Sequence, residues 1–241
     1  MKQTTLTKRA EAGSKWYPIY IDNLVGLIGK VVDYGMGFSN VYALRHNIAY
    51  NLQHLEFLDR CIEDIKLTEA LTKQIYKNFV VIGCSIIESL LTFLLIRSGN
   101  YKETEWELVC KVTGQEQDID GVRKRIDCHI YKKLDTKKRE EMDFDAMLKK
   151  AESKKLLGSE HKIYSDLKYL RKLRNKVHLQ AIKEPTDTDW NAFEYRHLCA
   201  MALVIHSVFT GPIFRPKPQE KKYFEYLVKH AQQRLEPLNS F

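Results

Sequence analysis

The sequence predicts a mainly α fold, a helical bundle interrupted by one small β-hairpin. Three observations predict it. Gly and Pro together number only 17 of 241 residues, too few for a turn-rich all-β sandwich. After residue 40, apolar residues recur at intervals of three and four over most of the chain. Between 101 and 135 the period changes to two. The length suits one large domain or two small ones. Hydrophobic residues at 44% and charged residues at 29% are ordinary for a globular protein and exclude disorder of the whole chain.

Residues 1–15 are polar and read as mobile. The stretch Trp16 to Gly37 mixes aromatics with four glycines and yields no firm element. Asn40 is an N-cap for a helix from Val41 to about Ile65, with Val41, Leu44, Ile48, Leu52, Leu55, Leu58 and Ile62 on one stripe. Thr68 caps a long helix carrying Leu71, Ile75, Phe79, Ile82, Ile86, Leu90 and Phe93, and Gly99-Asn100 ends it. Trp106, Leu108, Cys110 and Val112 then alternate, as do Ile126, Cys128 and Ile130, around the polar stretch Gly114 to Gly121. This predicts a β-hairpin insertion around 104–134, with a pair of short amphipathic helices as the competing reading.

Helical spacing resumes at Asp143, with Phe144, Met147, Leu148 and Ala151, and runs to Leu156-Leu157-Gly158, where Gly158 serves as C-cap. Ser159 precedes a helix from about Glu160 to Gln180. Asp187 or Thr188 caps the next, Asp189 to about Phe209, which Gly211-Pro212 stops. An amphipathic helix from Gln219 to Leu235 follows the link Arg215-Pro216-Lys217-Pro218. The organisation is therefore an N-terminal extension and first helix packed on the bundle (1–66), a helical domain (67–211) with its insert (101–135), and a C-terminal amphipathic helix (212–241).

The net charge of +8 is local. Lys149 to Lys183 holds 11 basic and three acidic residues, while the rest of the chain has 28 of each. A local basic excess is the usual footprint of a phosphate-bearing partner. The start, Met1-Lys2-Gln3-Thr4-Thr5-Leu6, has no apolar run of signal-peptide length. The five cysteines (Cys61, Cys84, Cys110, Cys128, Cys199) are odd in number and scattered, which favours reduced thiols in a cytoplasm. Phe79 to Ile96 is apolar over 18 residues, near the lower length of a spanning helix. Glu88 at its centre is expensive in lipid, so the segment reads as the buried helix of a bundle, and Glu88 needs a partner.

The chemically informative stretch is Tyr169 to Gln180, Tyr-Leu-Arg-Lys-Leu-Arg-Asn-Lys-Val-His-Leu-Gln. At 100° per residue, Arg171, Arg174, Asn175 and His178 project within about a 100° sector, on the border of the apolar face made by Ile163, Leu167, Leu170, Leu173 and Val177. The group suits phosphate chemistry. Arg offers a permanently charged fork that matches phosphate oxygens. His passes a proton either way near neutrality. Asn orients an imidazole or a water. Together they can cleave RNA without a metal: the imidazole deprotonates the 2′-hydroxyl or protonates the leaving 5′-oxygen, and an Arg stabilises the phosphorane. The competing reading is structural, with both arginines paired to acids on a neighbouring helix and His178 half-buried at an interface.

The stretch resembles the Arg-Asn…His signature of the HEPN superfamily (higher eukaryotes and prokaryotes nucleotide-binding domains). The surroundings resemble it too: Ile86-Ile87-Glu88-Ser89-Leu90-Leu91 on a long apolar helix, the Asp143-Phe144-Asp145-Ala146-Met147-Leu148 opening, Lys155-Leu156-Leu157-Gly158, and Pro185 after the signature. The resemblance covers about 70 to 211. It implies a HEPN-type bundle that dimerises through its signature helices. Many such proteins are metal-independent endoribonucleases with one composite cleft from both protomers; others are non-catalytic interaction modules that dimerise or bind nucleotide or RNA. Toxin–antitoxin, abortive-infection and other defence systems use the fold, so an antitoxin or defence partner is implied beside RNA. It calls for no cofactor and no metal. The catalytic candidates are Arg171, Arg174, Asn175 and His178, with Glu88 in support as the orienting partner of an Arg and Lys168, Lys172 and Lys176 on the RNA backbone.

Two departures follow. Arg171 and His178 enclose six residues, within the family's four to six, whereas Arg174, the one followed by Asn, encloses three. The roles of the two arginines therefore stay open. Gln180 stands where toxins paired with nucleotidyltransferase antitoxins carry a Tyr, so regulation through that Tyr is not expected. Weaker candidates are Cys128-His129 and the His46/His54 pair, which lack a second ligand set at zinc spacing. His197 and His206 lie on an apolar helix and read as packed histidines. Arg123-Lys124-Arg125, Lys132-Lys133 and Lys137-Lys138-Arg139 have acids close by (Asp127, Asp135, Glu140, Glu141) and read as a solvated surface.

Overall fold

The computed structural model describes residues 16–177, 180, 182 and 184–232. They form two compact units, one from the residues up to Gly99 and from Phe144 onward, the other Asn100–Asp143. The expected mobility of residues 1–15 falls outside the described residues, as does the end of the last expected helix beyond Gln232.

The first unit is all helical. Helix α1 (Ile21–Ile28) arises in the glycine-bearing stretch that the sequence left open, and buries Leu24, Leu27 and Ile28. Helix α2 (Val41–Asp64) and helix α3 (Glu69–Arg97) start after Asn40 and Thr68, although neither side chain makes a capping hydrogen bond. Gly99 closes α3 in a left-handed conformation (φ +64°), which costs glycine nothing. Within α3, 61% of the most apolar 18 residues are buried inside the protein, so its apolar length is core. Its hydroxyls are satisfied along the helix: Ser85, Ser89 and Thr92 donate to the carbonyls of Val81, Ser85 and Glu88.

Around α3 pack α2, α4 (Phe144–Ser153), α5 (His161–Arg174) and α7 (Tyr195–Thr210). Helices α3 and α7 approach closely at Gly83, where a Cβ would lie 2.4 Å from Met201 Sδ. Helix α4 ends at Ser153, short of the expected Gly158; Lys155 (φ +52°) turns the chain first. The link 154–160 is then fixed from below: the buried Tyr164 hydroxyl accepts from Leu157 N–H and donates to the Gly158 carbonyl.

Three further expected helices are shorter or divided. The signature helix does not continue to Gln180: α5 ends at Arg174 and tightens into a 3₁₀ turn, Asn175–Val177. The expected helix 189–209 is two. Helix α6 (Asp189–Ala192) is capped by the Thr188 side chain, and α7 begins after Phe193 and Glu194, both extended. Phe193 is fully buried, and extended backbone is what turns it inward. Glu194 opens α7 in a reciprocal cap with His197. At the C-terminus a short helix α8 (Pro218–Lys221) and a 3₁₀ turn (Lys222–Phe224) precede α9 (Glu225–Gln232), which packs on α7.

The second unit is an insert of strands, as the period of two predicts. Strands β1 (Glu103–Thr113) and β4 (Asp127–Arg139) pair antiparallel, with register shifts at 104–106 and 108–110. The intervening polar stretch is not a plain loop: β2 (Gln117–Ile119) and β3 (Val122–Lys124) form a second hairpin. Its turn, Asp120-Gly121, has φ of +57° and +76°, the two-residue type that matches strand twist. Strand pairing extends to Arg139, beyond the expected 134. Alternation there does not mark a buried face, since nearly every strand residue is exposed.

Candidate active site

Glu88 sits at the middle of α3, facing the last turn of α5. Arg174 Nη2 donates to Glu88 Oε2 at 3.1 Å, joining two helices across 86 positions. Both side chains are partly exposed, 31% for Arg174 and 27% for Glu88, so the pair borders the surface. Among the described residues, no other hydrogen-bond acceptor engages the Arg174 guanidinium. Among the described residues the fork is thus held through one nitrogen, Nη2. Cys84, one turn before Glu88 and buried, has its thiol pushed up to about 12 by burial, only partly offset by the Arg174 charge. It stays protonated at neutral pH and is no nucleophile.

Arg171 points to a different acid. Its Nη2 lies 2.8 Å from Asp145 Oδ1, in the first turn of α4. The Lys149 hydrogen bond, with the Arg171 charge, holds the Asp145 carboxyl below the usual carboxylate range. Arg171 Nε is buried and finds no partner among the described residues. The structural reading of the sequence therefore holds for both arginines within one chain: each meets a carboxylate on a neighbouring helix.

Asn175 caps α5 from an exposed position. His178 lies outside the described residues, so the Arg–His geometry expected from a continuous helix is not on view. Lys168 binds Glu152 at 2.5 Å and Lys176 binds Asp187 at 3.2 Å, while Lys172 is exposed. The local excess of positive charge is thus partly answered by Glu88, Asp145 and Asp187, all outside the 149–183 stretch. The segment after the signature is tied back to α3: Asp189 accepts from Lys77 at 2.7 Å and Gln74 at 3.1 Å. Burial raises the Asp189 carboxyl, and these two hydrogen bonds outweigh it, leaving the group below its ordinary value. Among the described residues, no group of three His, Cys, Asp or Glu side chains is placed to hold a metal ion.

A second polar cluster escaped the sequence reading. Asp59 of α2 and His230 of α9 are both buried and meet at 2.5 Å, and the Lys229 ammonium lies 3.0 Å from Asp59. His230 Nε2 therefore donates to Asp59, and its Nδ1 accepts from the Tyr195 hydroxyl at 2.7 Å. Burial, then the nearby Cys199, holds that hydroxyl well above its ordinary value, which makes it a donor and not a phenolate nucleophile. Asp59 and His230 are 171 positions apart and carry no spacing signal. His197 is likewise structural. Its Nδ1 accepts from Glu194 N–H, so its Nε2–H faces the Tyr169 hydroxyl at 3.2 Å. No family model, curated protein or solved structure matches this chain.

Proposed function

We propose that this chain is a metal-independent endoribonuclease of HEPN type, acting on RNA in a cytoplasmic, defence-related setting, at a cleft completed by the signature helix of a second copy. The 2′-oxygen attacks phosphorus, the bond to the 5′-oxygen breaks, and a 2′,3′-cyclic phosphate remains; the proton from the 2′-hydroxyl leaves on a base and an acid returns one to the 5′-oxygen. His178 takes the proton-transfer role. Arg174 stabilises charge on the phosphorane, Arg171 anchors a flanking phosphate, and Asn175 orients the imidazole or a water. Lys168, Lys172 and Lys176 follow the RNA backbone. The observation that carries this reading is the Glu88–Arg174 bridge, which holds a partly exposed arginine in place through one of its nitrogens.

The test is cleavage of RNA in EDTA by the parent protein, His178→Ala and Arg174→Ala. Cleavage by the parent that both substitutions abolish supports the enzyme; equal cleavage by all three overturns it. One observation favours a second reading, a non-catalytic module of the same fold: both arginines already have carboxylate partners inside one chain. That reading expects RNA binding or dimerisation without cleavage.

A further inference from the structure

The two faces of the β1–β4 hairpin differ in chemistry, and the cause is one residue. Strand β4 alternates regularly from Asp127 to Lys133, so His129, Tyr131 and Lys133 share a face. Their cross-strand partners are Lys111, Leu108 and Trp106. On β1 the register shift between Leu108 and Cys110 leaves Val109 as an extra residue, which moves the pattern from one face to the other. The opposite face therefore carries Val112 with Cys128, Cys110 with Ile130, and Glu107 with Lys132. One face carries aliphatic and thiol side chains, with Glu107 opposite Lys132 in register. The other has Trp, Tyr and His among Lys111 and Lys133, and its acid, Asp127, is bound by Arg125 at 2.9 Å.

The aromatics on that face are open. Trp106 is 51% exposed and Tyr131 is 50% exposed, and His129 packs edge-on to Tyr131 at 6.3 Å. Trp106, Leu108 and Tyr131 also line an open groove of about 990 Å³, together with Glu107, Lys138, Arg139 and Glu140. The acids at the groove are not bare: Glu107 is bound by Lys138 at 2.8 Å and Glu140 by Lys102 at 2.9 Å. An isolated two-stranded hairpin that keeps large side chains in water on both faces has no folding reason to do so.

We infer that the Trp106/Tyr131/Lys133 face of the hairpin is a stacking platform for single-stranded RNA. Bases stack on the indole and phenol, and Lys111, Lys133 and Arg139 meet the phosphates beside them. Charge favours RNA over a second protein, because the acids on this face and at its groove, Asp127, Glu107 and Glu140, are each bound by a cation, while Lys111, Lys133 and Arg139 have no ion pair among the described residues. The inference stands on the hairpin's own residues and holds whether or not the helical unit cleaves RNA.

The experiment measures binding of a fluorescein-labelled oligouridine of about 12 nucleotides to the full chain by fluorescence anisotropy. All proteins carry His178→Ala, so that cleavage does not enter. Trp106→Ala and Tyr131→Ala each weaken binding roughly tenfold or more. Trp106→Phe and Tyr131→Phe, which keep a ring and the strand, stay within about threefold. Lys133→Gln lowers the slope of log affinity against log salt by about 0.7. Ile130→Ala, on the other face, changes neither quantity. Three results overturn the inference: hairpin variants that bind like the parent, Phe variants that lose as much as Ala variants, or a shift in self-association with RNA affinity unmoved. Loss of binding through Arg174→Ala alone, with the hairpin variants intact, would place RNA on the helical unit and overturn the platform.

Discussion

Arg174 at the end of α5 donates to Glu88 at the middle of α3, 3.1 Å away, and each side chain keeps about three-tenths of its surface in water. A partly exposed pair of this kind stabilises by about 0–1 kcal/mol. On the proposed function its effect on chemistry is much larger, because a misplaced guanidinium no longer meets a phosphate. Glu88→Ala is expected to change the urea midpoint little and to lower RNA cleavage by about tenfold to a hundredfold. Glu88→Gln, which still accepts the hydrogen bond, recovers part of that loss. A large fall in stability with unchanged cleavage per folded molecule would make Glu88 a core residue only.

His197 makes the helical unit sensitive to acid. Burial, with the Arg196 and Lys73 charges behind it, lowers its pKa from 6.5 to about 4. The unfolded chain then binds more protons than the folded one between those values, so stability rises with pH across the window. It is complete above about 6.5 and is lost as pH falls toward 4. Between pH 7 and pH 4.5 this group accounts for roughly 2 kcal/mol. Urea unfolding of the parent and of His197→Gln at both pH values checks it; the variant's pH dependence is flatter by that amount.

The Asp59–His230 contact couples the C-terminal helix to α2. Both groups are buried, so removing one leaves an uncompensated polar partner. His230→Ala is expected to cost about 3 kcal/mol by denaturant unfolding. In a double-mutant cycle, Asp59→Ala added to it costs much less than in the parent, and additive losses would show that the two do not act as a pair.

At Gly83 the limit is space. Any side chain meets Met201 at 2.4 Å, and the core around α3 is closed. Gly83→Val is expected to destabilise by about 1–3 kcal/mol. The paired change Gly83→Ala with Met201→Ala recovers most of the loss suffered by Gly83→Ala alone, read from thermal midpoints.

Much of the bundle is legible in the sequence where long periodic runs meet capping residues, as at Asn40 and Thr68. Glu88 demanded a partner because a lone acid in an apolar helix is costly, and the partner is on the helix expected to supply it. The end of α5 was not legible. Residues 175–180 keep helical spacing and contain no Gly or Pro, so only the local tightening at Asn175 reveals the change. The break at Phe193 is hidden for the same reason: a buried extended phenylalanine looks like one more apolar position of a helix. In the insert, alternation identified the strands but not their exposure, because a period of two records that faces differ and not that either is covered. Asp187, the partner of Lys176, and the Asp59–His230 pair are contacts of the folded chain that carry no sequence motif.

The pairing of Glu103 with Arg139 brings the two ends of the insert together. Once the hairpin has formed, the helical unit meets the 100–143 segment as a short loop between α3 and α4. Shortening a loop roughly tenfold in this way lowers its closure entropy by about 2 kcal/mol. The strands thus support the bundle topologically, while adding almost nothing to its core. Substitutions that melt the hairpin would be felt as weaker docking of α4 on α3.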